Sequence, residues 1–153
     1  MEIKITSTAF QDGAAIPTRY TCDGAGVSPP LAWSGIPADA KSIAVVCEDP
    51  DAPRGTFIHW VLFNLPANVG SLPENVPTQK MLANGAMQGT NGARKIGYTP
   101  PCPPSGTHRY IFKVYALDAM LDLQSDATRA DLTKAMEGHI LAEGQLMGKY
   151  SRG

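Results

Sequence analysis

Residues 42–65 read SIAVVCEDPDAPRGTFIHWVLFNL, two apolar runs separated by a short segment rich in acids and prolines. The first run, residues 42–48, is almost continuously apolar, which is typical of a strand buried on both faces. The second run, residues 57–65, is rich in aromatic and β-branched residues and carries one histidine, His59. We therefore predict two core strands joined by a stiff acidic turn, with an ionisable ring in the second strand.

Similar patterns extend the prediction to the rest of the chain. Residues 2–6 alternate polar and apolar, and residues 108–117 (HRYIFKVYAL) form another strong strand candidate. One helix is predicted over residues 129–143, with Thr128 as its N-cap and Gly144 as its stop. Its apolar stripe is spaced by four residues: Leu132, Met136 and Ile140. The fold class is therefore mostly β, a sandwich with a helix near the C-terminus.

Length and composition bound the class of protein. The 153 residues, 43% of them hydrophobic, fit a single domain over residues 1–153 that can bury a core. The formal net charge is −1 and no basic cluster occurs, which argues against binding nucleic acid or an anionic membrane surface. No run approaches the roughly 20 apolar residues of a membrane-spanning helix, and the N-terminus lacks the apolar centre of a signal peptide.

The cysteines add a prediction about compartment. Cys22, Cys47 and Cys102 are an odd number without metal-type spacing. We therefore predict reduced thiols in a cytoplasmic protein.

The candidate chemistry lies at the ends of three predicted strands. Strand alternation puts His108 and Tyr110 on one face and Arg109 on the other, and puts His59 on the face of Phe57, Val61 and Phe63. Asp49 and Asp51 follow the strand of residues 42–48. A lone histidine is most often a satisfied core residue, and DPDAP alone is most often a capped turn. Their combination favours function, because buried carboxylate and imidazole groups are costly unless they are paired.

Three segments carry a family resemblance: YTCDGAGVSPPLAW, EDPDAPRGTFIHW, and GTHRY followed by IFKVYALD. They resemble the signatures of the phosphatidylethanolamine-binding protein family, in particular its bacterial and archaeal Raf kinase inhibitor-like branch. The resemblance implies a β-sandwich with one or two helices and a small pocket for phosphate or a phospholipid headgroup. It implies a non-catalytic module without a cofactor, a kinase as a conceivable partner, and pairing into homodimers. Carried over by position, the pocket residues are Asp49, Asp51, Pro53, His59, His108 and Tyr110.

The sequence departs from the family pattern beside that pocket. Pro100 stands where the family has a glycine ahead of Pro-Cys-Pro-Pro, so one backbone N–H donor is missing. The family's Asn-Asp-Phe-Gly is replaced by NGAR, residues 91–94. Arg94 is a conceivable substitute donor, although an arginine is more often solvated.

Two other function classes stay open at this stage. A hydrolase would use a His–Asp pair, yet no G-x-S-x-G elbow, P-loop or dinucleotide motif accompanies it. A metal protein would use His59, His108 and Asp49 as a two-histidine, one-carboxylate site, yet no H-x-H or H-x-x-x-H spacing supports it. A binding module is the preferred prediction.

Overall fold

The computed structural model describes residues 2–152, which form two antiparallel β-sheets. The larger sheet has five strands, in the spatial order β6 (Met87–Gln88), β4 (Phe57–Pro66), β3 (Ser42–Asp49), β7 (Thr107–Leu117) and β8 (Ile140–Ser151). The smaller sheet has three, in the order β1 (Lys4–Thr6), β2 (Leu31–Ser34) and β5 (Ser71–Leu72). A single helix, α1 (Arg129–Met136), precedes β8 in the described residues. The predicted mostly-β class is confirmed.

The central strand β3 separates two apolar clusters, as its sequence predicts. Ile43, Val45 and Cys47 belong to the cluster between the two sheets, together with Trp60 and Phe112. The alternate β3 side chains belong to the cluster on the opposite face, beneath α1: Ala44 and Val46. Both sides of β3 are therefore apolar and almost fully buried, with its polar residues confined to its ends.

The helix is shorter than predicted. Its N-terminus is as expected, because Thr128 and Asp131 form a capping box. The helix ends at Met136, however, and Gly138 turns the chain with a φ of 79°. Ile140 belongs to β8 and not to a helical stripe. No helix within residues 2–152 has the length and apolar character needed to cross a bilayer.

A β-bulge changes the predicted face of His59. Trp60 pairs with Cys47 and Ile58 pairs with Glu48, so His59 is the extra residue in β4. Trp60 and Leu62 face the cluster between the sheets, whereas Val61 and Phe63 face the opposite cluster. His59 contacts Tyr110, which belongs to the cluster between the sheets. The prediction that His59 shares a face with Val61 and Phe63 is therefore wrong.

The prediction of three reduced thiols is also wrong. Cys22 and Cys102 form a disulfide, with an S–S distance of 2.09 Å across a sequence separation of 80 residues. Two proline-rich loops bring their Cα atoms to 5.4 Å, a proximity that cysteine spacing alone does not encode. Cys47 is a free thiol buried in β3, and burial holds its pKa well above the usual value.

Candidate functional site

A cavity of about 230 Å³ lies at the edge of the larger sheet where β3 ends and where β4 and β7 begin. Five of the six predicted site residues line it: Asp49, Pro53, His59, His108 and Tyr110. The remaining wall is largely apolar and includes Phe57, Pro100, Pro103 and Pro104. A polar floor of imidazole, carboxylate and phenol groups is thus enclosed by apolar walls.

Asp49 and His108 form a buried pair on the cavity floor. The Nδ1 atom of His108 lies 2.6 Å from Oδ2 of Asp49, and both residues are buried. The other carboxylate oxygen of Asp49 accepts the backbone N–H of Asp51, at 2.8 Å. Because a carboxylate only accepts, Nδ1 of His108 carries the hydrogen and Nε2 is the ring nitrogen left for a ligand.

His59 is oriented in the same way by a different acceptor. Its Nδ1 atom donates to the carbonyl oxygen of Thr99 at 2.7 Å. The ring meets Phe57 and Tyr110 edge to face, with centroid distances of 4.8 and 5.2 Å. Burial lowers the pKa of His59 despite the opposing effects of the Thr99 carbonyl and Asp49. The ring is therefore neutral at pH 7, with Nε2 as the nitrogen available to a ligand.

Tyr110 completes the polar floor. Burial, and next the charge of Asp49, raise the pKa of its phenol. Its hydroxyl therefore keeps its proton across the physiological range and can serve as a neutral donor.

Asp51 is the predicted site residue that does not line the cavity. Its carboxylate accepts three hydrogen bonds of 2.9 Å from Arg109, one from the backbone N–H and two from the guanidinium. These bonds lower the pKa of Asp51 to about 2. Asp51 and Arg109 therefore brace the acidic turn from the side opposite to His108.

The two departures from the family pattern have different consequences. Pro100 lies in the cavity wall, so the missing N–H falls beside the ligand space. Arg94 is exposed, with a φ of 63°, and does not contribute to the cavity lining. The buried amide of Asn91 instead shapes its own loop by accepting from Ala93 and Lys95 and donating to Gly97.

Sequence reasoning missed two parts of this cavity. Thr99 orients His59 through a backbone carbonyl, and no side-chain pattern reports on such a contact. Cys102 lies in the wall, within the run TPPCPP, whose four prolines were the available signal of a rigid loop.

The metal alternative finds no support in the geometry. Within residues 2–152, no group of three or more His, Cys, Asp or Glu side chains is arranged to hold a metal ion. Asp49 and Nδ1 of His108 are already bonded to each other, so the proposed set of two histidines and one carboxylate is not preformed.

Fold and cavity together define a class, a β-sandwich protein with a small polar-floored cavity at one end of its central strands. The family model for phosphatidylethanolamine-binding protein matches residues 6–151. The chain belongs to the phosphatidylethanolamine-binding protein family, as its sequence signatures predicted.

Archaeal and bacterial relatives agree with this membership. A UPF0098 protein of Methanothermobacter thermautotrophicus is 51% identical over 99% of this chain and 100% of its own. A UPF0098 protein of Chlamydia muridarum is 46% identical over 98% and 99%.

Two crystal structures share the fold. The phosphatidylethanolamine-binding protein homolog CT736 of Chlamydia trachomatis superposes with a TM-score of 0.92, at 43% identity over 99% of each chain. YbcL of Escherichia coli, a member of the mammalian PEBP family, gives a TM-score of 0.91 at 32% identity over 100% of each chain.

Proposed function

We propose that this protein is a non-catalytic binding module whose cavity holds a small anion, either phosphate or the phosphorylated headgroup of a larger molecule. One observation carries the proposal. Both imidazoles use Nδ1 for a fixed acceptor, so that Nε2 of His59 and of His108 are the ring nitrogens available to one ligand. Tyr110 adds a hydroxyl donor to the same floor.

Binding of an anion is favoured when the ring of His59 takes up a proton. The buried ring of His59 is neutral in the free protein and offers a lone pair, which repels an anionic oxygen. A bound anion raises the pKa of His59 and favours its imidazolium form, whose Nε2–H donates a charge-assisted hydrogen bond. Anion binding is therefore coupled to proton uptake, and affinity decreases as the pH rises.

Size restricts the ligand to a headgroup. A cavity of about 230 Å³ lies below the range of roughly 300–1,000 Å³ for drug-sized ligands. Acyl chains would have to lie outside it, against the apolar rim formed by residues such as Phe57 and Pro104.

The partner and compartment belong to the same proposal. Regulation of a kinase and pairing into a homodimer are extensions suggested by family membership. The cytoplasmic location also stays a prediction, and the disulfide bears on it because such bonds are rare in the cytosol of mesophiles.

Hydrolysis is the less favoured reading of the same residues. A hydrolase needs a nucleophile activated by one of the two rings. Within residues 2–152, the hydrogen bonds of His59 and His108 go to Thr99 and Asp49, and none joins either ring to a hydroxyl or thiol.

Calorimetric titration with phosphate and with O-phosphorylethanolamine between pH 6 and 8 tests the proposal. We expect the affinity to be higher at pH 6, His108→Ala to weaken binding, and His59→Asn to flatten the pH profile. His139→Ala is the matched control. His139 pairs with Asp118 beyond the far end of β7, whose eleven residues at about 3.3 Å each separate it from His108 by on the order of 30 Å. Absence of binding, or binding unaffected by His108→Ala, would refute the assignment of the histidines.

A further inference from the structure

The disulfide lies in the wall of the ligand cavity. Cys102 lines the cavity together with Pro100, Pro103 and Pro104, within the loop of residues 99–106 that leads into β7. Its partner, Cys22, belongs to a second loop that follows a short 3₁₀ turn at Thr18–Tyr20. The bond therefore fastens one wall of the cavity to a distant part of the chain.

Few backbone hydrogen bonds hold this wall, although Pro101 and Pro103 are buried. Four of its residues are prolines and have no backbone N–H to donate. In the described part of the chain, two backbone hydrogen bonds join residues 99–106 to other segments. These run from Thr99 N–H to the His59 carbonyl at 2.9 Å and from Cys22 N–H to the Pro101 carbonyl at 3.0 Å. The second of them is adjacent to the disulfide and would be released with it.

The loop at the other end of the bond is firmly held. Asp23 accepts hydrogen bonds from Tyr150 and Arg152, in and just after β8. The carbonyl oxygen of Tyr20 accepts the hydroxyl of the buried Tyr98 at 2.8 Å. The disulfide thus connects a cavity wall that is held by few hydrogen bonds to a fixed anchor.

Both cysteines are exposed to solvent. Exposed disulfides are the labile and regulatory ones, in contrast to buried structural bonds. The third cysteine, Cys47, is fully buried in β3 and cannot reach the bond to exchange with it.

We propose that Cys22–Cys102 is a reversible redox site, and that reducing it weakens the binding of an anion in the cavity. This rests on the anion-binding function proposed above. A dithiol reductant attacks one sulfur to form a mixed disulfide, and its second thiol then closes to a cyclic disulfide. The two electrons and two protons pass to Cys22 and Cys102, which become thiols. Without the bond, the exposed part of the wall around Cys102 and Pro104 moves away from the ligand, while Thr99 keeps its hydrogen bonds with His59.

Titration of inorganic phosphate into the oxidised and the dithiothreitol-reduced protein tests this directly. We expect Kd for phosphate to rise about fivefold or more on reduction, the lower end of typical coupling between sites, and to recover on reoxidation. The double variant Cys22→Ser/Cys102→Ser should bind like the reduced protein and ignore dithiothreitol. Cys47→Ala keeps the bond and should respond to dithiothreitol as the unaltered protein does.

Thermodynamic reciprocity supplies a second measurement. If the disulfide favours phosphate binding, phosphate must favour the disulfide by the same factor. In a glutathione redox buffer, saturating phosphate should shift the thiol–disulfide equilibrium, read by mass spectrometry after thiol alkylation, toward the oxidised form.

The outcomes separate the two proposals. Equal phosphate affinity in both redox states would overturn the redox proposal and leave the anion site intact. Phosphate bound by neither form would overturn the anion site and the redox proposal with it. Circular dichroism measures whether the reduced protein still unfolds cooperatively. Loss of cooperative unfolding on reduction would show that the whole fold depends on the disulfide, and it would also overturn the redox proposal.

Discussion

Two aspartate–histidine pairs with similar N–O distances but different burial allow the energetics of the cavity floor to be tested. Asp49 pairs with Nδ1 of His108 at 2.6 Å, and Asp118 pairs with Nδ1 of His139 at 2.7 Å. The side chains of the first pair are 8% (His108) and 4% (Asp49) exposed, whereas those of the second are 45% (His139) and 42% (Asp118) exposed. The perturbation is the substitution Asp49→Asn, with Asp118→Asn as its control.

The expected loss follows from counting acceptors. Asp49 accepts at both oxygens, from the ring of His108 and from the backbone N–H of Asp51. Asparagine has one oxygen; when that oxygen accepts from the Asp51 N–H, the NH₂ group faces Nδ1 of His108, which must pass its hydrogen to Nε2 and so loses its hydrogen bond to a charged carboxylate. We expect the free energy of unfolding at pH 7 to fall by about 1.5–3 kcal/mol, the typical contribution of a hydrogen bond to a charged group.

The control substitution should be nearly silent. Asp118 accepts one hydrogen bond, from the His139 ring, and the oxygen of an asparagine can accept it equally well. We expect Asp118→Asn to change the free energy of unfolding by about 0.5 kcal/mol or less. Urea denaturation at constant m-value gives both numbers. Similar decreases in the free energy of unfolding for Asp49→Asn and Asp118→Asn would show that burial of the Asp49–His108 pair does not increase its contribution to stability.

Two other substitutions test the surroundings of the floor. Arg109→Leu should lower the free energy of unfolding at pH 7, because it removes the bidentate contact with Asp51. Since the pKa of Asp51 is depressed to about 2, this stabilisation is present above pH 4 and is lost as the pH falls toward 2. An acid-denaturation midpoint equal to that of an Arg54→Leu control would contradict it. His59→Asn keeps a donor for the Thr99 carbonyl but does not titrate. Folding lowers the pKa of His59, so the unfolded chain binds more protons than the folded protein below about pH 6.5. The free energy of unfolding of the unaltered protein should therefore decrease toward pH 5. This decrease should be steeper than that of the variant by up to about 1.4 kcal/mol per pH unit. Parallel pH profiles in denaturant titrations would refute this.

Local patterns were sufficient for the centre of the sheet. The apolar run of β3 and the aromatic-rich β4 and β7 report directly on burial, and each strand lies within a residue or two of its predicted bounds. The family signatures lie at the cavity ends of these strands, so the site residues and the fold were predicted together.

The C-terminal strand shows where local patterns fail. The local pattern predicts that Gly144 ends a helix, yet Gly144 lies inside β8, where the backbone of Ile3 packs against it and leaves no room for a Cβ. Gly148 is packed in the same way against Ile16 and Phe10. These glycines are required by contacts with the N-terminal segment, which lies far away in sequence. Pairing with β7 and those contacts determine the strand, and neither is visible in a window of a dozen residues.

The β-bulge in β4 and the disulfide also depend on contacts between segments that are distant in sequence. One extra residue in β4 turns His59 toward Tyr110, and strict alternation cannot anticipate it. Cys22 and Cys102 meet because two loops converge, so counting cysteines predicted thiols where the structure has a bond.

The stiff acidic turn is explained by the alternation of β7. His108 and Arg109 are consecutive and therefore point to opposite faces of the sheet. Asp49 hydrogen-bonds to His108 on the buried face, and Asp51 hydrogen-bonds to Arg109 on the exposed face. The turn therefore contacts β7 on both faces. This double contact fixes the cavity floor through the fold itself. Within residues 2–152, the wall of residues 99–106 is held by its disulfide, by the hydrogen bonds of Thr99 and Pro101, and by the packing of the buried Pro101 and Pro103. The contacts of Asp49 and Asp51 therefore hold the floor in place independently of the disulfide. If reduction of the disulfide changes the affinity for an anion, we expect the change to arise from movement of the wall.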